Sequence, residues 1–346
     1  MPQDASENEK KVLAIKFLQR ELPFLQTVHI DFHPSAGERG LQRQMAEARQ
    51  ANRIDPKSLY VTPRQAELWR QVFLRHSPIH GNPEFARIYR EAFARIADRI
   101  KSEKIHLVGL GCGTGLKELD LYSHLKARGC DALFSAIDVS HDLVVESAQK
   151  LVAAGASHDR SMVCDLAESA FLADWLGRAS GHLPRIITFF GLVPNLSPSV
   201  VKQLFRAILR AGDILLVSAH LAPVGEGIGL SAAMQSVLPQ YDNAETLAWL
   251  DAGLEQADLK DRVEAPEMSI GEVEGVPAFV AKARWKSKTK EPLHLFSSLR
   301  YTPQLFEKLL RDDGFNLELL GITSCREEAI WAVTAGASLG PVDIQG

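Results

Sequence analysis

From residue 105 onward, short apolar runs alternate with longer stretches whose apolar positions recur every three or four residues. The runs at 105–110, 133–137, around Met162, 185–190 and 213–218 predict strands. Between them, 116–128, 142–154, a stretch near 171–178 and 198–210 predict helices. Gly129, Gly155 and Gly212 stand as stops, and Ser197 with Pro198 as a cap and first helical position. Such alternation implies βαβ units around a parallel sheet with helices on both faces. A last helix is expected at 303–313, with Thr302 as cap and Gly314 as stop. The runs 316–320 and 329–334 then read as a closing antiparallel pair. Upstream, helical patterns lie at 12–22 (Val12, Ile15, Phe17, Leu18, Leu22), 63–75 and 83–100.

Between 221 and 292 the rhythm lapses into a stretch rich in Gly, Ala and charge, too long for a connection within a sheet. The expected fold is α/β, a doubly wound Rossmann-like sheet with a second, substrate-binding lobe. Residues 101–220 would form the core. Residues 1–100 would be an N-terminal helical segment contributing to the lobe, 221–292 an insertion completing it, 293–336 the return to the core sheet, and 337–346 a tail. No repeat or low-complexity tract is present.

The 39 Lys and Arg against 43 Asp and Glu give a net charge of −4, which argues against a nucleic-acid binder. No apolar stretch reaches about 18 residues, since His220 interrupts the best run, so no membrane span is expected. The polar start Met-Pro-Gln-Asp-Ala-Ser-Glu is not a secretory signal. Cys112, Cys130, Cys164 and Cys325 show no paired spacing, which fits a reducing cytoplasm. No metal site is expected, because His29, Asp31 and His33 have no further ligand nearby. Lys282, Arg284, Lys286, Lys288 and Lys290 alternate with period two and read as one solvated strand face.

The sharpest motif is Gly109-Leu110-Gly111-Cys112-Gly113-Thr114-Gly115, between the first predicted strand and helix. No Gly-Lys-Ser/Thr follows, which excludes a phosphate P-loop. The third glycine of a dinucleotide fingerprint is missing, which argues against a nicotinamide oxidoreductase. Gly111, Gly113 and Gly115 let the backbone approach a ligand, and the helix start offers free N–H groups and partial positive charge. Lys117 adds a cation. A nucleoside with an amino-acid tail fits, and S-adenosylmethionine is such a molecule. Asp138, ending the second strand, would take its ribose hydroxyls. Asp165 would take its adenine amino group, with Leu166 against the ring.

These segments, with Ile137-Asp138-Val139-Ser140, Phe189 through Pro198 (Phe-Phe-Gly-Leu-Val-Pro-Asn-Leu-Ser-Pro) and Tyr241-Asp242-Asn243, resemble the histidine-specific Nα-methyltransferases of the ergothioneine pathway. That family includes relatives acting on tryptophan derivatives, and the resemblance runs from about residue 55 to 335. It implies a class I methyltransferase fold, S-adenosylmethionine as cofactor and S-adenosylhomocysteine as product. It places cofactor contacts at Gly111, Lys117, Asp138 and Asp165. It puts the amino-acid carboxylate on Asn195 and Tyr241, with Gly191 beside them, and Tyr60 over the reacting amine. The imidazole-binding Glu of the family falls on Leu295, its neighbouring Ser on Ser297, and an apolar family position on Arg284. The acid that methyltransferases of this fold carry two residues before Gly111 is here Gly109.

The resemblance implies in-line transfer to a neutral amine held about 3 to 3.5 Å from the methyl carbon. Asn195 and Tyr241 would anchor the carboxylate, and Tyr60 would orient the amine or accept its proton through water. The expected function is N-methylation of the α-amino nitrogen of a free amino acid, histidine-like or another, or of a close derivative. Methylation of an oxygen or side-chain nitrogen, and a non-catalytic cofactor-binding relative, are the alternatives. The expected partners are small molecules only, with a monomer slightly favoured.

Overall fold

The computed structural model describes residues 27–336 apart from 55, 78–81, 226 and 289. The helical pattern at 12–22 and the tail at 337–346 lie outside the described residues. β1 (Ile30–Phe32), α1 (Glu38–Gln50), α2 (Pro63–His76) and α3 (Pro83–Ala97) precede the alternating region. That region runs β2 (Lys104–Leu110), α4 (Leu116–Ala127), β3 (Asp131–Asp138), α5 (His141–Ala153), β4 (Ser157–His158), β5 (Ser161–Val163), α6 (Ser169–Ser180), β6 (Arg185–Phe189), α7 (Pro198–Ile208) and β7 (Ile214–His220). After it come α8 (Leu230–Val237), α9 (Ala244–Gln256), β8 (Glu267–Val273), β9 (Val276–Ala283), β10 (Leu293–Leu299), α10 (Pro303–Arg311), β11 (Phe315–Ile322) and β12 (Glu328–Ala335).

The main sheet has the order β1-β5-β3-β2-β6-β7-β12-β11, with β4 beside β3. β12 is antiparallel to both β7 and β11, and the other pairs are parallel. The doubly wound class I methyltransferase fold read from the sequence is the fold observed. Its strands are apolar on both faces because helices cover both. Leu107, Phe134 and Ala136 pack with α3, α4 and α5, while Val108, Phe189 and Val217 pack with α6, α7 and α10. Two polar contacts are sealed inside. Arg185 Nε donates to both carboxylate oxygens of Asp213 at 3.0 Å, tying β6 to the start of β7. The His106 imidazole lies between the hydroxyls of Ser180 (2.7 Å) and Ser135 (2.9 Å).

The second lobe is built on an antiparallel sheet, β10-β9-β8, with Leu59, Trp249, Leu254, Leu293 and Leu295 in its own core. Three expectations are corrected here. Residues 293–299 form β10 of this sheet, so only α10, β11 and β12 return to the core. The N-terminal hundred residues are divided, since β1 pairs with β5 on the core sheet and α3 packs on α4 and β11. The period-two charge run leaves β9 after Ala283 and turns, so no strand continues to Lys290.

Candidate active site

A cavity of about 280 Å³ opens where the strand order reverses, at the carboxyl ends of β2, β3 and β6, between the core and the lobe. The glycine turn forms one wall. Gly111, at φ 59°, donates its N–H to Ile137 O at 2.7 Å, and a Cβ there would overlap Leu192. Gly113, at φ 50°, donates to Asp138 Oδ2 at 3.2 Å. Asp138 Oδ1 accepts from Ser140 N at 3.0 Å. Burial raises the Asp138 carboxyl above its ordinary value, opposed by these N–H groups. Gly115 departs from expectation: it caps α4 at φ 71°, a Cβ there would run into Ser147 of α5, and it does not line the cavity. Its role is to let two helices approach. Asp165 and Leu166 line the same end. Asp165 pairs with Lys57, on the turn Pro56–Leu59, and accepts from Ala167 N at 2.9 Å.

Tyr60, Gly191, Asn195 and Tyr241 line the cavity toward the lobe. Asn195 ends a short 3-10 turn, and its side-chain amide has no hydrogen-bond partner among the described residues. The Tyr241 hydroxyl is held from several sides. Ser298 Oγ donates to it at 2.9 Å, Arg300 Nη2 donates at 3.0 Å, and His220 Nδ1 lies 3.3 Å away. Its ring stacks on Phe279 with centroids 4.8 Å apart. Burial, with the charges of Arg300 and Lys117, pushes His220 far below the usual imidazole range, so the ring is neutral. With both oxygen lone pairs taken, the phenolic proton of Tyr241 is left for His220 or for a ligand.

Two expected substrate contacts are not in the cavity. Arg284 is exposed and pairs with Glu267 at 3.2 Å. Ser297 is hydrogen-bonded to His294 at 2.9 Å and faces away. The reason is a bulge in β10: the pairing with β9 shifts between His294 and Phe296, so Leu295 is an extra residue. Phe296 and Ser298 therefore face the cavity where Leu295 and Ser297 were expected. Phe296 continues an aromatic wall, with Trp249 at 5.4 Å, then Tyr60 at 5.2 Å from Trp249, Trp69 at 6.1 Å from Tyr60, and Phe73 at 5.4 Å from Trp69. Burial and the neighbouring charge of Asp138 raise the Tyr60 phenol well above its ordinary value, so it stays protonated.

Residues 51–245 match a family model described as histidine-specific methyltransferase, S-adenosylmethionine-dependent. The chain belongs to this family. It is accordingly an S-adenosylmethionine-dependent methyltransferase. Solved structures similar to it include an S-adenosylmethionine-dependent methyltransferase from Clostridium acetobutylicum ATCC 824, with 13% identity, TM-score 0.44 and coverage of 78% of this chain and 98% of that one. A Burkholderia thailandensis 1,6-didemethyltoxoflavin-N1-methyltransferase has 11% identity, TM-score 0.39 and coverage of 80% and 92%. A methyltransferase from Bacteroides fragilis in complex with S-adenosylhomocysteine has 13% identity, TM-score 0.36 and coverage of 73% and 81%. No curated protein sequence matches the chain.

Lys117 lines this methyltransferase's cavity as expected, but the groups around it escaped the sequence reading. Lys117 Nζ donates to Tyr89 OH at 2.8 Å, and that hydroxyl donates to Glu328, which lines the cavity from β12. Burial lowers the Lys117 ammonium. Glu118, His220 and Ser298, which line the cavity, and Arg300, buried behind Tyr241, were also missed. Their one sequence signal is a polar residue set inside an apolar strand or helix start. Among the described residues no helix is long and apolar enough to cross a membrane, and no group of three His, Cys, Asp or Glu is arranged to hold a metal.

Proposed function

We propose that this enzyme methylates the α-amino nitrogen of a free amino acid, or a close derivative, whose side chain is flat and apolar. The observation that carries the reading is Arg300. Its guanidinium is buried, has no carboxylate within ion-pair reach among the described residues, and leaves Nε without a partner. A buried cation of this kind favours an anionic ligand. Through Tyr241 it polarises a hydroxyl toward the cavity, and the free amide of Asn195 supplies a second donor. A substrate carboxylate held there meets both.

On this reading the cofactor lies along Gly111 and Gly113, with its ribose on Asp138, its adenine beside Asp165 and Leu166, and Lys117 behind its tail. At Gly113 the turn leaves room that a Cβ would fill, with only the Trp69 ring edge 3.4 Å away, and Asp138 keeps carboxylate lone pairs for hydroxyls. When bound, the cofactor supplies an electrophilic methyl group on a sulfonium. The chain's own part is to hold the acceptor. Tyr60, kept protonated, orients the amine by hydrogen bonding and is not the base. Trp249, Phe296 and Trp69 form the side-chain compartment. An imidazole there would meet aromatic faces where a carboxylate partner was expected, so an indole or phenyl group fits better.

A screen of labelled methyl transfer to the common amino acids and their decarboxylated amines tests this. Aromatic amino acids should be the best acceptors, with fragmentation placing the methyl on the α-nitrogen. Each amine lacking the carboxylate should lose roughly 10- to 100-fold in kcat/KM. Equal rates with the amines, or methyl on a ring nitrogen or an oxygen, would refute the proposal.

A further inference from the structure

Glu118, at the start of α4, is 4% exposed and lines the cavity beside the glycine turn. One carboxylate oxygen accepts from the Thr188 hydroxyl at 2.7 Å. Thr188 stands directly opposite Gly109 in the β2–β6 register. Among the described residues no cation lies within ion-pair reach of Glu118. Its neighbour Lys117 is turned to Tyr89. Of the other buried acids lining the cavity, Glu328 belongs to that Tyr89 network, Asp165 pairs with Lys57, and Asp138 accepts from Gly113 and Ser140. A carboxylate taken out of water needs more than a single hydroxyl and a helix start to offset its desolvation. A cavity-facing acid without a cation marks a place where a ligand cation fits.

The same region explains Gly109. A Cβ at 109 would sit 3.3 Å from Glu118 Cγ and 3.0 Å from Cys112 Cβ. Glu118 thus fills from the helix the space that a side chain on the strand would take. The carboxylate missing from position 109 is present in the site, delivered nine residues later in the chain.

We infer that Glu118 receives the ammonium of the cofactor's amino-acid tail. This rests on the cofactor placement proposed above, with its tail at the glycine turn. The acid is a ligand-binding group, and its side chain takes no part in moving protons to or from the acceptor.

Calorimetric titration with S-adenosylhomocysteine and with its analogue lacking only the amino group tests the inference. For the unmodified enzyme the analogue should bind more weakly. Glu118→Gln should weaken S-adenosylhomocysteine by about 10- to 100-fold, and should leave the analogue's affinity within about twofold. Equal weakening of both ligands, or of neither, would overturn the assignment. Gly109→Asp combined with Glu118→Ala returns an acid to the strand in the space vacated, and should restore the preference for the amino group. Failure of that double variant to discriminate, when it still binds the analogue, also counts against the inference. Asp138→Ala reports the placement separately: it should weaken both ligands, and if it weakens neither, the cofactor reading fails whatever Glu118 does.

Discussion

Replacing Tyr241 by Phe removes one oxygen and leaves the ring in place. The stack on Phe279, at 4.8 Å, needs no hydroxyl. What is lost is the acceptor for Ser298 and Arg300 and the proton left for His220 or a ligand. Arg300 Nη2 keeps Gln240 Oε1 at 3.1 Å, and its other arm keeps Leu221 O at 3.3 Å, so the guanidinium is not stranded. The folding cost should stay near 1 kcal/mol, the value of an ordinary hydrogen bond. The substrate cost is larger, because a hydroxyl bound to a carboxylate contributes about 1.5–3 kcal/mol. At 1.4 kcal/mol per factor of ten, kcat/KM for an amino acid should fall about 10- to 150-fold. Most of the loss should appear in KM. The matched decarboxylated amine, which has nothing to offer Tyr241, should be methylated at nearly the unmodified rate. Initial rates for the pair of acceptors with both enzymes give the comparison. An equal fall for amine and amino acid would show that Tyr241 shapes the pocket without holding a carboxylate.

Three further outcomes follow from other parts of the molecule. Phe296→Ala should lower kcat/KM for aromatic amino acids on the order of tenfold and spare small acceptors, read from competition rates; unchanged preference would remove Phe296 from the side-chain compartment. Asp213→Asn leaves the buried Arg185 without its ion pair and should cost about 3–5 kcal/mol in urea unfolding, whereas an apolar pair at both positions should recover most of it. His106 is held neutral by burial, its imidazole lowered from 6.5 to about 3. The unfolded chain therefore takes up a proton that the folded one refuses between those values, and stability should fall by about 1.4 kcal/mol per pH unit as acid is added through that window. His106→Asn should flatten that slope in denaturation series.

The core was legible because a parallel sheet covered on both sides leaves runs of apolar residues that nothing else explains. The runs 105–110 and 185–190 become β2 and β6 within a residue of where the pattern puts them. The lobe was less legible. β10 pairs with β9, ten residues earlier, yet it sits beside α10, whose strong periodicity drew it into the core reading. At the site, Gly111, Gly113, Asp138, Asn195 and Tyr241 line one cavity; the glycines and Asp138 had a local sign, a turn and a strand end, whereas Asn195 and Tyr241 came only with the family resemblance. Ser298 stands at the cavity where the resemblance implies Ser297, because a bulge leaves no mark in the sequence beyond one extra residue. Arg284 belongs to the period-two charge run, whose pattern already pointed to solvent, and only the family resemblance placed it in the pocket. Glu118, Ser298 and Glu328 come from three distant segments, and only folding brings them to the same cavity walls.

The bulge at Leu295 has an evolutionary consequence. Leu295 has no partner on β9, so losing its single codon would leave Phe296 opposite Ala281 and Ser298 opposite Phe279, and the same side chains would still face the cleft. A codon lost beyond Phe296 would instead turn the following positions to the other face. One point of this strand can therefore absorb a change of length in the gene while the lining of the cleft is kept, and its neighbours cannot.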